Sequence, residues 1–198
     1  MVLAHKRKWG WRFVDEFCWR NTANGTPGKW PNRLKNAWEP VFHFCRSKEI
    51  KFRPKAAGRQ SDDVVVYAVE NPSAPTGSGL LGFGAEKVSG IAWPSNVIEV
   101  KAEGGQAHSA PFPRALVEFF VKAFSDAGDV IFDPFMGSGT TIAAAHVLGR
   151  NGYGIEISPG YCDVIVQRWQ NLSGGSSRLA GDGRTFQQIA AERTTVPA

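Results

Sequence analysis

Apolar positions along the chain keep several different rhythms. In residues 1–60 they gather in short runs, Trp11–Trp19 and Trp38–Cys45, punctuated by Pro31, Pro40 and Pro54, which predicts short strands joined by loops. Val64-Val65-Val66-Tyr67, following Asp62-Asp63, reads as one more short strand. Residues 71–90 are rich in Pro, Gly and Ser and show no periodicity, so a mobile loop or linker is expected there. Ile91-Ala92-Trp93 and Val97–Val100 are again strand-like.

The clearest pattern runs from His108 to about Ser173. Pro113 suits a first helical turn, where a missing N–H costs nothing, and Leu116, Phe119, Phe120 and Phe124 follow at helical spacing until Gly128 closes the helix. Val130-Ile131-Phe132 predicts a short buried strand, Gly137-Ser138-Gly139 a turn, and Thr140–Leu148 an alanine-filled helix ended at Gly149. Gly152–Ile157 predicts a second strand, and Ser158-Pro159 opens a helix with Tyr161, Val164, Ile165 and Trp169 on one face. Strand, helix, strand, helix is a β-α-β-α unit, hence an α/β fold with a parallel sheet of Rossmann type. Four zones result: residues 1–60, 61–107, 108–173 and a polar tail, 174–198, with a helix-like piece from Thr185 to Arg193.

Composition changes this picture little. Hydrophobic residues make up 42% and charged residues 21%, close to an ordinary globular domain, so a sizeable core can be buried. No run of 18 apolar residues exists and the N-terminus has no apolar leader, so a cytoplasmic protein without a membrane span is expected. Cys18, Cys45 and Cys162 form no Cys-x-x-Cys pair, which predicts free thiols and no metal site. Charge is more informative. Residues 1–60 hold 14 Lys/Arg and 4 Asp/Glu, a net of +10, whereas the remaining 9 Lys/Arg and 14 Asp/Glu give −5. A polyanion partner for the basic third follows.

The candidate chemistry sits at the first strand-to-helix turn, Asp133–Thr141. Small residues there let a ligand approach the backbone, and a helix N-terminus offers N–H groups and partial positive charge. No lysine follows Gly139, so the turn is not a Walker phosphate loop, and Thr140-Thr141-Ile142 breaks the dinucleotide fingerprint. Glu156, 23 positions after Asp133, is placed to accept hydrogen bonds from ribose hydroxyls. An adenosine ligand with a small zwitterionic end fits better than a pyrophosphate.

These residues carry a resemblance. FDPFMGSGTT (132–141) followed by GYGIEISPGYCDVIVQRW (152–169) resembles the cofactor motifs of DNA N6-adenine and N4-cytosine methyltransferases, and HSAPFPRALVEFF (108–120) resembles the helix motif that precedes them in members with permuted motif order. A looser likeness, W…N…WEPVFHF, reaches into residues 9–55. The resemblance implies a Rossmann-like methyltransferase fold binding S-adenosyl-L-methionine. Asp133, Phe135, Gly137, Gly139 and Thr140 would line its methionine half, with Ser138 in the same loop. Glu156 would bind the ribose, and Ser109 and Phe112 would close over the methionine end.

The family methylates an exocyclic amine with an Asp/Asn/Ser-Pro-Pro-aromatic loop, and this sequence has no Pro-Pro dipeptide; Asn71-Pro72-Ser73-Ala74 is the nearest string. The catalytic residues therefore stay unassigned, and the chain is expected to be the C-terminal, cofactor-binding part of a split or truncated enzyme, with a sheet incomplete on its N-terminal side. Exposed edges of such a sheet would favour a homodimer or a partner subunit carrying the catalytic loop. Double-stranded DNA is the expected substrate, in a restriction–modification setting, with Lys6, Arg7, Lys8, Arg12, Arg33 and Lys35 as phosphate contacts. Two alternatives remain at this point: a remnant or regulatory subunit that binds cofactor or DNA without chemistry, and another nucleotide-dependent Rossmann enzyme.

Overall fold

The computed structural model describes residues 8–21, 38–67, 85–92, 94–101 and 112–195. The two apolar runs of the basic third become β1 (Arg12–Asn21) and β2 (Trp38–Cys45), paired antiparallel from Arg12↔Cys45 to Arg20↔Trp38. Strand alternation buries Phe17 and Trp19 on one face and leaves Glu16 and Arg20 exposed on the other. A single helical turn, α1 (Pro54–Ala57), leads into the antiparallel hairpin β3 (Arg59–Tyr67) and β4 (Ala85–Ala92). Residues 85–90 are therefore strand rather than loop: the ladder to β3 supplies the backbone hydrogen bonds that their weak apolar pattern did not announce. Residues 68–84 lie outside the described residues. Then β5 (Val97–Val100) joins β1 in parallel, giving the order β2-β1-β5, and the Trp19 indole N–H donates to the Val100 carbonyl at 3.1 Å.

Helix α2 (Arg114–Phe124), capped by the buried Pro113, lays its apolar stripe on this sheet. Leu116 packs into the cluster of Phe17, Trp19 and Ile98. Phe120 meets Phe17 edge-on at 5.2 Å, and Phe124 lies 4.5 Å from His43. Burial of each such side chain stabilises by about 1.5–3 kcal/mol. As α2 advances, its partners step from Trp19 back to Phe17 and then His43, so the helix runs antiparallel to β1. It stops at Ser125, not Gly128: the Ser125 hydroxyl and N–H both donate to the Val121 carbonyl, and Gly128, at φ +82°, makes the turn that follows.

That turn leads to β6 (Val130–Asp133), then α3 (Thr140–Val147) and β7 (Asn151–Gly154), with β6 and β7 parallel from Val130↔Asn151 to Asp133↔Gly154. The expected β-α-β unit is present. Ala143, Ala144 and Ala145 are buried, and a Cβ on Gly152 would lie 3.0 Å from Ile142 and 3.2 Å from Ala145, so small residues on both sides let α3 approach the sheet closely. The opposite face is bare. Val130 and Phe132 are 64% and 57% exposed, where the sequence predicts burial, and Tyr153 and Ile155 beside them are each 60% exposed. Helices cover only the Ile131/Gly152 face, and no described element covers the other. The strand β7 also ends at Gly154, so Glu156 stands in the segment beyond it rather than closing the strand.

Helix α4 (Pro159–Ser173) starts as predicted, with the Ser158 hydroxyl accepting from the Tyr161 N–H and Pro159 at the first position, and it ends at Gly174. Of its predicted apolar face, Ile165 is buried while Val164 is 38% exposed. In the tail, α5 (Phe186–Thr195) begins with a reciprocal cap, Thr185 N–H to Gln188 Oε1 at 2.8 Å and Gln188 N–H to Thr185 Oγ1 at 3.3 Å. Arg193 pairs with Asp163 at 3.1 Å, tying α5 to α4. Among the described residues no helix is long and apolar enough to cross a membrane.

A charged cluster fixes the relative direction of the two halves. Lys51 reaches Asp129 at 2.6 Å and Asp126 at 3.1 Å, Arg53 reaches Asp126 at 2.9 Å, and the Arg53 N–H donates to the Ala123 carbonyl at 2.7 Å. The segment after β2 is thus pinned to the α2–β6 turn. The starts of β1 and β6 therefore lie toward the same end of the molecule.

Two predictions follow from these contacts. The Arg53 and Lys51 cations hold the Asp126 carboxyl below its ordinary 3.8, and the Asp126 N–H with Lys51 does the same for Asp129. Both folded values being lowered, their contribution is complete above 3.8 and drains away as pH falls through the folded values. Asp126→Asn should lower the thermal midpoint at pH 7 and low salt, and the gap to wild type should close near about pH 2 and at high salt. A gap that persists in acid would contradict this. Second, Gly139 has φ +78°, and a Cβ there would lie 3.0 Å from the buried Ile165, whereas Gly174 has φ +68° and open space. Gly139→Ala should cost about 2–4 kcal/mol in denaturant unfolding and Gly174→Ala about 1 kcal/mol. Equal costs would remove the packing argument.

Candidate cofactor-binding site

The turn between β6 and α3 is fastened on three sides. Asp133 uses both carboxylate oxygens, Oδ1 accepting from the Phe135 N–H at 2.9 Å and Oδ2 from the Thr141 hydroxyl at 2.6 Å. Backbone bonds then sew the turn to the chain leaving β7: Ile155 N–H to Asp133 O at 3.0 Å and Met136 N–H to Ile155 O at 3.2 Å. Glu156 completes the fastening. Its Oε2 accepts from the Gly137 N–H and its Oε1 from the Ser158 N–H, both at 2.8 Å. These two bonds orient the carboxylate.

In front of this bend lies a cleft of about 580 Å³ lined by Pro134, Phe135, Gly137, Ile155, Glu156, Ile157 and Tyr161. Its walls are aromatic and aliphatic, with the Glu156 carboxylate as the polar group, a composition usual for small-molecule sites. Phe135 is 88% exposed.

The sequence-predicted residues divide into four groups. Phe135, Gly137 and Glu156 line the cleft, and Asp133 holds its floor. Ser138, Gly139 and Thr140 are buried on the far side of the loop: Arg168 from α4 donates to the Ser138 carbonyl and the Thr140 hydroxyl, each at 3.2 Å, and Gly139 packs against Ile165. Phe112 lines a different, apolar cleft of about 570 Å³, shared with Trp19, Val41, Leu116 and Ile131. Ser109 lies outside the described residues. Ile155, Ile157, Tyr161 and Arg168 escaped the sequence reading. Tyr161 carried a helical-face signal that assigned it to core packing, and Arg168 carried none.

The basic residues are placed less favourably. Lys8 and Arg12 stand at the start of β1, away from the residues that line the cleft, and Arg12 donates to the Ser47 carbonyl at 3.0 Å. Arg46, at the same end, sits over Trp11 at 5.3 Å. Lys6, Arg7, Arg33 and Lys35 lie outside the described residues.

The chain is similar to known proteins. A family model described as DNA methylase matches residues 1–167. The type II methyltransferase M.HinfI of Haemophilus influenzae is 43% identical over 161 residues, 80% of this chain and 40% of that protein. The orphan methyltransferase M.BamHII of Bacillus amyloliquefaciens is 42% identical over 82 residues, 41% of this chain and 31% of that protein. Among solved structures, the cytosine-N4-specific PvuII DNA methyltransferase superposes with a TM-score of 0.63 at 19% identity, covering 96% of this chain and 59% of its own. The M1.HpyAVI–SAM complex superposes with a TM-score of 0.56 at 21% identity, covering 85% and 66%. The chain thus spans less than two thirds of the length of each of these relatives. With the family match extending from the basic third through the glycine turn and into α4, this chain belongs to the N6/N4 DNA methylase family.

Proposed function

We propose that this chain supplies the S-adenosyl-L-methionine-binding half of a site-specific DNA methyltransferase acting on an exocyclic amine, adenine N6 or cytosine N4. The observation that carries the reading is the Gly137 bend held between the Asp133 and Glu156 carboxylates in front of an apolar cleft. That site fits the cofactor: Phe135, Ile157 and Tyr161 offer apolar surface for a purine, and the oriented Glu156 carboxylate offers acceptors for ribose hydroxyls. Asp133, with Ser138, Gly139 and Thr140, fixes the backbone that would meet the methionine end. When bound, the cofactor supplies an electrophilic methyl group on sulfur. The residues named here bind and orient it, and none of them holds the target amine.

That last task needs another segment of polypeptide. Among the described residues β6 pairs only with β7 and β2 only with β1, and both open edges border the apolar cleft that holds Val41, Phe112 and Ile131. On the other face of β6 and β7, Val130, Phe132 and Tyr153 are exposed. A homodimer contact or a partner carrying an Asp/Asn/Ser-Pro-Pro-aromatic loop would cover these surfaces. Names of type II relatives support a restriction–modification setting. The absence of any Pro-Pro dipeptide favours, as a second reading, a remnant or regulatory subunit that binds cofactor or DNA without turnover. Lys6, Arg7, Lys8, Arg12, Arg33 and Lys35 would then serve duplex phosphates, with Lys8 and Arg12 contacting DNA away from the reacting base.

Calorimetry with S-adenosylmethionine should show binding by the wild-type chain and at least about tenfold weaker binding by Glu156→Ala and Asp133→Ala, each of which loses two hydrogen bonds to a charged acceptor. No binding by the wild type, with folding verified by circular dichroism, would end the reading. On duplex DNA the same preparation should bind in a salt-sensitive way, transfer no methyl group alone and sediment as a dimer or associate with a partner. Robust turnover would refute the missing-loop argument, salt-independent affinity the phosphate contacts, and a stable monodisperse monomer the open edges.

A further inference from the structure

We propose that Arg168 is a positioning residue for the cofactor loop: it grips Ser138 and Thr140 from behind and so sets affinity for the amino-acid end of the ligand without touching it. The inference rests on the cofactor reading above. From α4, the Arg168 Nη1 donates to the Ser138 carbonyl and the Thr140 hydroxyl at 3.2 Å and reaches the Ser138 hydroxyl at 3.5 Å. Ser138 and Thr140 are buried, and Ile165, three residues earlier on the same helix, closes the space beside Gly139. Arginine and isoleucine together thus hold the one residue of the loop whose φ of +78° fixes the direction in which α3 departs.

Two physical points make this more than packing. Gly139 provides no side-chain oxygen to cap α3, so the first turn of the helix depends on what fixes the loop from outside. A guanidinium is suited to that task because it is permanently charged, planar and donor-only. It is also a cation beside a helix N-terminus, where the dipole disfavours positive charge. Its presence there raises the positive potential of the loop, which favours the carboxylate of an amino-acid end and does nothing for an uncharged nucleoside.

The distinction can be measured on the full chain. Binding of S-adenosylmethionine and of 5′-methylthioadenosine, which lacks the amino-acid end, should be compared in wild type, Arg168→Met and Thr140→Val. We expect Arg168→Met to weaken the first ligand by about tenfold or more, as for one lost charge-assisted hydrogen bond, and to leave the second unchanged. Thr140→Val should show a smaller loss with the same selectivity, and it decides the matter if Arg168→Met does not fold. Unchanged affinity for both ligands, or an equal loss for both, overturns the proposal. If the wild type binds neither, the functional reading fails, and the positioning claim is judged by amide exchange. Exchange at Gly139–Thr141 should be faster in Arg168→Met with α4 unaffected; no difference overturns it.

Discussion

The structure turns on one bend. Where β6 stops, the chain must reverse into a helix while keeping its backbone open to a ligand, and two carboxylates make that possible. Asp133 satisfies an N–H and a hydroxyl on the near side, and Glu156 reaches from beyond β7 to hold the Gly137 N–H. Because Glu156 belongs to the neighbouring strand-helix connection, the bend exists only while β6 and β7 stay in register. The alanine and glycine contacts between α3 and β7 keep that register, so core packing and ligand site form one cooperative unit.

The rest of the molecule positions this unit and leaves part of it open. Helix α2 covers the sheet of β1, β2 and β5 with phenylalanine and then delivers the chain to β6, and the Lys51/Arg53–Asp126/Asp129 cluster fixes the turn between. An apolar cleft lies beside α2 and β6, and Val130, Phe132 and Tyr153 on β6 and β7 are exposed. Neither Lys8 nor Arg12 lines the cleft, so charge counted along the sequence and charge presented at the cleft are different quantities.

Much of the fold was legible because its signals are local. Val130–Asp133, the Thr140 helix, the Ser158-Pro159 helix start and the two aromatic strands of the basic third each follow from periodicity, caps or glycine within a few residues. Residues 85–90 were misread because their strand is held by a ladder to Ser61–Tyr67, distant in the chain, and a backbone ladder leaves little trace in side-chain pattern. The burial of Val130 and Phe132 was misjudged for a related reason: an apolar residue announces that it prefers cover, not that cover is present.

The sequence by itself determined the chemistry of the bend: Asp133, the glycines and Glu156 suit a tight strand-to-helix turn held by carboxylates, and such requirements are written in single residues. Only the tertiary structure decided which of them face the cleft. It turned Phe135 and Gly137 forward, put Ser138 and Thr140 behind under Arg168, brought Tyr161 and Ile157 in as walls, and assigned Phe112 to a different cleft. The physical reason is that side-chain direction at a turn is fixed by partners distant in the chain, and no local pattern encodes them.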